Sequence, residues 1–390
     1  MKSKTLALTL SLAAIYPSYG ADTLLGAISE GKTSLETRLR YENVSDDATA
    51  NHSGAAFTNR LVLGYKTADF NGLTAGIEFE NITNLMDDDK YNSGTTGEGN
   101  KNSAYPTIAD PYLTQVNQAY LDFKGLKFGR QKIIFDNARF IGDVGWRQND
   151  QTFDALVYSN KTLIPMTQFT VGYLNKVHNI FGLSRNVSAP VVNVKVSPNA
   201  TTNLTGFMYA VEEETAPTTS WDHTGVRADG SLGSFIYDLS FAKQTAYKEG
   251  TGIKADYKDI GLGYKFPLFT IKGQFEVLDK GFKTPLATLH AYNGWADRFL
   301  TTPANGLEDM NIKVIAPVLG TNLTVAYHQF SAEAIEQDYG QEIEFSVGKK
   351  FSDSFSGLVK YASYQGESAA PGALSKDVNK LWLQIQYKFM

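Results

Sequence analysis

Residues 381–389 read Leu-Trp-Leu-Gln-Ile-Gln-Tyr-Lys-Phe. Leu381, Leu383, Ile385, Tyr387 and Phe389 are apolar, and Gln384, Gln386 and Lys388 lie between them. Successive side chains of a strand point to opposite faces, so one face of this segment suits hydrocarbon and the other water. Trp382 is the bulky exception on the polar side. An alternating strand that ends on an aromatic residue beside the last residue of the chain is how a bacterial outer-membrane β-barrel closes. A soluble sandwich edge can share the pattern, so the rest of the chain has to decide.

Period-two alternation recurs in about eighteen segments, each near the roughly 9–11 residues that cross a bilayer as a tilted strand. The first runs from Lys32 to Asn43, the fifth from Lys127 to Ile134, the eighth from Val191 to Val196 and the last from Asn379 to Phe389. Between segments, short links such as Asn71-Gly72, Gly125 and Pro317 to Gly320 alternate with long ones. The long ones include Thr83 to Thr114, Phe135 to Gln151, Val177 to Pro190 and Asp279 to Gly306. Up-and-down barrels put tight turns on the periplasmic side and long loops outside; a Greek-key sandwich has no reason to alternate in this way. The sequence therefore predicts an all-β fold, a transmembrane antiparallel up-and-down β-barrel of about eighteen strands with some loops folded into the lumen. An even strand number leaves both ends on the periplasmic side. No internal linker divides residues 21–390, which read as one barrel domain.

Lys2 and Lys4 precede an apolar run from Leu6 to Ile15, and Ser18-Tyr19-Gly20 supplies the small residues of a cleavage site, so residues 1–20 read as a signal peptide for Sec export. The run is too short to span a membrane as a helix. Mean hydropathy is only -0.25, which a barrel explains by diluting its lipid face with polar lumen positions. The chain has no Cys, which excludes disulfide frameworks, thiol catalysis and thiolate metal sites. With 21 Tyr and 23 Phe against 12 Pro, the composition favours ladders and interfacial aromatic girdles. The net charge of -5 points to no nucleic-acid partner.

Assigning the apolar parity to lipid sends Leu35, Leu39 and Tyr41 outward and Glu36, Arg38, Arg40 and Glu42 inward. The same rule turns Arg60, Lys66, Glu78, Glu80, Asp122, Asp154, Arg227, Asp238, Lys272, Glu276, Lys313, Glu342, Glu344 and Lys360 to the lumen. A one-residue slip would put these charges into hydrocarbon at about 2–4 kcal/mol for each Arg or Lys near the midplane, so the register is well constrained. In Lys127 to Ile134 either parity strands a polar group; Arg130 and Lys132 are placed inward. So many ionised groups require a wet or internally paired lumen, and a barrel of this size is wide enough for an aqueous channel. The expected pore-lining residues are Arg38, Arg40, Arg60, Glu78, Glu80, Arg130, Lys132, Asp154, Arg227 and Lys313. Some pair across the wall, as Glu36 with Arg38 or Glu80 with Arg60.

Two long loops carry enough apolar residues to fold inward as the constriction. Phe135 to Gln151 contributes Arg139, Asp143, Trp146 and Arg147. Asp279 to Gly306 contributes Trp295, Asp297 and Arg298, and its Thr288 to Leu300 stretch reads as a short helix. Loops without such content normally stay in water.

The strings Gly142-Asp143-Val144-Gly145-Trp146-Arg147-Gln148-Asn149 with Thr152-Phe153-Asp154, and Asn293-Gly294-Trp295-Ala296-Asp297 with Pro303-Ala304-Asn305-Gly306-Leu307-Glu308-Asp309, resemble the alginate export family of Gram-negative outer-membrane porins. Arg38-Leu39-Arg40-Tyr41-Glu42 and Gly129-Arg130-Gln131 add to the resemblance, which spans essentially the whole mature chain. It implies an eighteen-stranded barrel with an arginine-rich pore for an acidic polysaccharide, or uptake of small anions or oligosaccharides. Arg38, Arg40, Arg60, Arg130 and Arg227 would supply the arginines, with Glu36, Glu78, Glu80 and Asp154 diluting their field.

Other signals carry less. Asp87-Asp88-Asp89 offers oxygen ligands for Ca²⁺, but the EF-hand spacing is absent and a solvated loop explains the run. Among His52, His178, His223, His290 and His328, none forms an i, i+4 ligand pair or a local hydrolase signature, and His328 is the one to watch as an inward residue. The leading expectation is a passive channel for small hydrophilic, anionic or saccharide solutes, without a cofactor, a metal or enzymatic chemistry. Its partners would be outer-membrane lipid, lipopolysaccharide and the barrel assembly machinery, which reads the C-terminal strand. The alternatives are an enzyme within the barrel and a structural or adhesive barrel plugged by the two loops.

Overall fold

The computed structural model of the chain describes residues 21–86, 90–94, 102–252 and 254–389. The expected signal peptide, Met390 and the Asp87-Asp88-Asp89 run lie outside the described residues. A short helix, α1 (Leu24–Ser29), precedes the first strand. The strands are β1 (Lys32–Asp46), β2 (Ser53–Lys66), β3 (Leu73–Asn84), β4 (Leu113–Phe123), β5 (Leu126–Gln131), β6 (Thr152–Ile164), β7 (Thr167–His178), β8 (Ser184–Asn199) and β9 (Thr202–Glu213). They continue as β10 (Trp221–Leu232), β11 (Phe235–Ala246), β12 (Ala255–Lys265), β13 (Thr270–Leu278), β14 (Leu307–Val318), β15 (Thr321–Ser331), β16 (Asp338–Lys350), β17 (Phe355–Gly366) and β18 (Val378–Phe389).

Each strand pairs antiparallel with its neighbours in sequence, and the 18-stranded sheet closes where β18 meets β1. At that seam Leu35 faces Phe389, Arg38 faces Gln386 and Arg40 faces Gln384. Closure leaves no unpaired edge, the condition for a sheet surrounded by lipid. Polarity is inverted relative to a soluble protein. Leu63, Leu262, Met310 and Ile343 are more than half exposed on the outside, or nearly so, while Arg40, Glu80, Glu342 and Glu344 are almost completely buried within.

The alternation located every strand, and the main differences are at two boundaries. β8 begins at Ser184 rather than Val191, so the expected long loop from Val177 to Pro190 is in fact a tight connection. Pro190 cannot donate to a ladder. It is accommodated opposite Tyr173, beside a register irregularity between Leu174 and Lys176. β5 stops at Gln131 rather than Ile134. There the Gln131 amide donates to the carbonyls of Lys127, Gly129 and Ala155, and the chain leaves the wall for the lumen at Lys132.

Three of the short connections are two-residue turns with both residues in the left-handed region: Asn71 and Gly72 (φ 54° and 90°), Lys124 and Gly125 (52° and 91°), and Leu319 and Gly320 (51° and 74°). That conformation matches the twist of a hairpin and favours Gly or Asn.

The interior is packed where the long loops enter. Phe140 lies against Phe207, His223, Tyr257 and Phe282 with ring centroids 4.9–6.3 Å away, filling the lumen beside β9 to β12. A second group joins Phe299 of the 279–306 loop to Phe330, Tyr339 and Tyr364.

Candidate pore constriction and vestibule

Loop 132–151 crosses the lumen and is tied to the wall at both ends. On one side Arg139 donates to Glu276 of β13 (2.6 Å) and to Asn293 (3.1 Å), with its guanidinium 4.6 Å from the Tyr292 ring. On the other, Arg38 of β1 donates to the carbonyls of Gly145 (3.2 Å) and Arg147 (3.0 Å), and Arg40 donates to that of Trp146 (2.6 Å). Arg147 in turn reaches Glu42 (2.8 Å) and Asp110 (3.1 Å). Asp150 accepts from Lys132 (2.5 Å), Asn117 (3.2 Å) and, at very close range, Arg60. Burial by itself would raise the Asp150 carboxyl, but Arg60 and Lys132 hold it below the usual carboxylate range. Among the described residues Asp143 accepts only from backbone amides and has no cation within 4.0 Å; burial and the neighbouring Asp150 push its pKa up.

Loop 279–306 supplies the facing half. The stretch expected as a helix makes only a 3-10 turn, Leu289–Ala291, because Asn293, Gly294 and Asp297 adopt left-handed φ values of 54°, 86° and 60°. Its freed amides find carboxylates instead: Trp295 N donates to Glu344 and Ala296 N to Glu342, both at 2.9 Å. Arg298 pairs with Asp46 (2.7 Å), and Asp297 pairs with Lys380 (2.7 Å) and His290 (2.6 Å). Lys360 Nζ lies 2.7 Å from His290 Nε2, so the ring takes its proton on Nδ1 and donates to Asp297. Burial keeps that ring neutral, with a pKa lowered to about 3. Asp297 is held well below the ordinary carboxylate range: burial opposes this, and the His290 ring and Lys380 ammonium outweigh it. Trp146 stacks on His290 at 4.7 Å and meets Trp382 edge-on at 5.7 Å. Lys360 lies over the faces of Trp295 (3.7 Å) and Trp146 (4.2 Å), a desolvated cation held by rings.

The two loops touch at Ile141 and Leu286. A third loop joins them, which its sequence did not announce: Tyr91, Ile108 and Asp110, between β3 and β4, are buried in the lumen.

Above this layer, on the long-loop side, lies a cavity of about 470 Å³. Val144, Ile180, Phe181, Leu289 and Leu300 give it an apolar wall, and Arg147, Arg185, Arg298 and Lys380 face it together with Asp46 and Asp297. Each of these cations has a carboxylate partner; among the described residues the buried Arg185 Nη2 and Arg298 Nε have no hydrogen-bond acceptor. The size and the mix of apolar wall with few convergent donors are those of a small-molecule site.

Most of the expected pore residues therefore have partners. Glu36 joins Arg38 (3.4 Å) and Arg60 (2.8 Å); Arg60 also meets Glu80 (3.2 Å). Glu78 accepts from Asn117 (2.7 Å), Arg130 pairs with Asp154 (2.9 Å), and Arg227 bridges Asp229 and Asp238. Lys313 differs. It faces Lys272 in register, and among the described residues neither ammonium has a carboxylate within 4.0 Å. His328 is clamped between Asp309 (2.8 Å) and Glu344 (3.5 Å), in contact with no serine or threonine hydroxyl among the described residues. Asp46, Asp110, Arg185 and His290 are additional site residues. All lie in loops or at strand ends, where no periodicity marks them.

No family model matches the chain, and no curated protein sequence matches it either. Solved structures do. Pseudomonas aeruginosa OccK9 (OpdG) superposes with a TM-score of 0.70 at 13% identity, covering 93% of this chain and 99% of that one. The fold is that of an outer-membrane porin. Acinetobacter baumannii OccAB3 gives 0.70 at 12% identity over 93% and 100% of the two chains. P. aeruginosa OpdK, solved with vanillate, gives 0.69 at 12% identity over 93% and 99%. Both neighbouring groups share the closed eighteen-stranded design; the alginate export resemblance finds no separate support among them.

Proposed function

We propose that the chain is an outer-membrane channel for passive diffusion of small hydrophilic solutes, with a preference for compact anions that carry an apolar body. The observation that carries this is the vestibule above the crossed loops, where Arg147, Arg185, Arg298 and Lys380 stand against an apolar wall. The Lys272 and Lys313 pair lies nearer the short-turn end and supplies a second, unneutralised positive step. Paired arginines leave a weak field, which suits a solute that must also depart. The vanillate bound to OpdK is a molecule of this kind, an anion on an aromatic ring.

A polyuronate is the finer cargo implied by the quoted alginate-export strings. The pairing of the lumen arginines and the layer formed by the two loops favour a small solute over a polymer. The same reading takes the chain to carry no chemistry of its own: His328 is hydrogen-bonded to Asp309 through Nδ1, and its Nε2 lies 3.5 Å from Glu344. It also takes the terminal strand, with Phe389 opposite Leu35, as the signal for the assembly machinery, and lipid and lipopolysaccharide as its surroundings. Planar-bilayer recording tests this: stepwise conductance, an anion-selective reversal potential under a salt gradient, and block by added vanillate are expected. A protein that inserts and never conducts would overturn it in favour of a plugged barrel, the reading that the buried contacts of both loops would otherwise support.

A further inference from the structure

At the short-turn end the wall presents apolar residues where water would favour polar ones. Leu319 is 93% exposed and sits at φ 51°, in a turn position taken by Asn71 and Lys124 in the two hairpins of the same geometry. A branched side chain gains nothing there: the left-handed conformation disfavours it, and no other described residue covers it. The neighbouring connections repeat the feature. Leu268 is 78% exposed at the tip of the β12–β13 turn, Leu232 and Phe235 flank the β10–β11 turn, and Phe351 stands at the β16–β17 turn. The patch thus runs across four adjacent hairpins from β10 to β17.

These tips continue the lipid-facing surface. Phe235 packs edge-on to Tyr264 (5.0 Å), Tyr264 meets Phe266 (4.6 Å) and Phe266 stacks on Phe269 (4.7 Å). Tyr264 shares its parity with Leu262 and Ile260, two exposed residues of the outer face. Aromatic rings at such a boundary sit at the level of lipid headgroups.

We infer that the β10–β17 turns form an apolar collar that is immersed in the periplasmic leaflet rather than standing in the periplasm. The occupant is lipid, because the patch is continuous with the membrane-facing wall. The inference rests on the outer-membrane reading above. The β6–β7 turn shares the feature, with Leu163, Ile164 and Met166 each more than half exposed, whereas the tip residues Lys124 and Ala200 present no large apolar side chain and are expected in water.

The chain has no cysteine, so single-cysteine variants can be spin-labelled without background. In phospholipid vesicles, Leu319→Cys and Leu268→Cys should give nitroxides several-fold more accessible to oxygen than to a nickel chelate. Lys124→Cys and Ala200→Cys should show the opposite order. Leu383→Cys, on the mid-wall, separates the two levels: if it too favours the nickel chelate, the membrane reading itself fails. If Leu383→Cys favours oxygen while Leu319→Cys matches Lys124→Cys, the collar alone is overturned; a Leu319 label reached by neither reagent would mean burial against protein and overturn it as well.

Discussion

Replacing Arg147 with Ala removes the guanidinium that fastens loop 132–151 to Glu42 of β1 and to Asp110 of the third loop. Both carboxylates are almost wholly buried, and among the described residues Arg40, 3.8 Å from Asp110, is the one other cation within 4.0 Å of either. Removing one member of a buried pair costs about 3–5 kcal/mol, roughly two to three and a half orders of magnitude in an equilibrium constant. Against this stand the bonds that Arg147→Ala leaves intact, from Arg38 and Arg40 to backbone carbonyls and from Gln148 to Thr58. Hydrogen bonds to charged groups contribute about 1.5–3 kcal/mol each, so together they still outweigh the loss. The loop should remain docked for most of the time and release it briefly, which single-channel recording at neutral pH would read as excess open-channel noise and a larger mean conductance.

Acid sharpens this test. Burial pushes the Asp110 carboxyl up, but Arg147, Arg40 and the Gln148 amide hold it below its ordinary value. The stabilisation is therefore complete above the unfolded pKa of about 4 and is lost as pH falls through the lower folded value. Without Arg147 that depression shrinks, and acid-induced noise should begin at a higher pH than in the parent. Identical conductance, noise and acid onset in the two proteins would refute the role given to the loop.

Replacing Lys272 and Lys313 with Glu breaks no ion pair, so folding should be unaffected while the reversal potential moves towards cation selectivity; the shift should shrink at about 1 M salt, where screening acts within about 3 Å. Met310 is 60% exposed on the outer face, and Met310→Arg should lower stability by about 2–4 kcal/mol in a urea titration of vesicle-folded protein. An unchanged midpoint would mean that the wall's parity is misassigned. Asp297→Asn leaves Lys380 and His290 without their carboxylate and should make loop 279–306 a site of limited proteolysis in the intact barrel; resistance equal to the parent's would count against the clamp.

The wall was legible because its signal repeats. Each strand states its two faces by parity, so Arg38, Arg60 and Glu80 were placed inward from sequence and are found there. Trp382, the exception in the terminal strand, is inward and packs edge-on against the stacked pair of Trp146 and His290. The loops were legible only in composition. Apolar content identified 135–151 and 279–306 as inward, but the partner of each charge depends on long-range geometry that carries no period. Asp110 is an instance: nothing in its local sequence points to Arg147. The helix expected at 288–300 failed for a related reason. Glu342 and Glu344, distant in sequence, accept the amides that a helix would have used internally.

The contacts across the β1–β18 seam bear on how the barrel is made. Arg40 donates to Gln384 (2.7 Å) and to the Trp146 carbonyl, while the Trp146 ring meets Trp382, so loop 132–151 rests on both the first strand and the last. Its seat does not exist until those strands have met. Ordering of the lumen is thus thermodynamically coupled to closure: an open, half-assembled sheet holds a loose loop, and a loop that docks well favours the closed cylinder in return. Slipping the seam by one residue would turn one of its two strands over and take either Trp382 or Arg40 away from the lumen, so the constriction also acts as a check on the register of the wall that surrounds it.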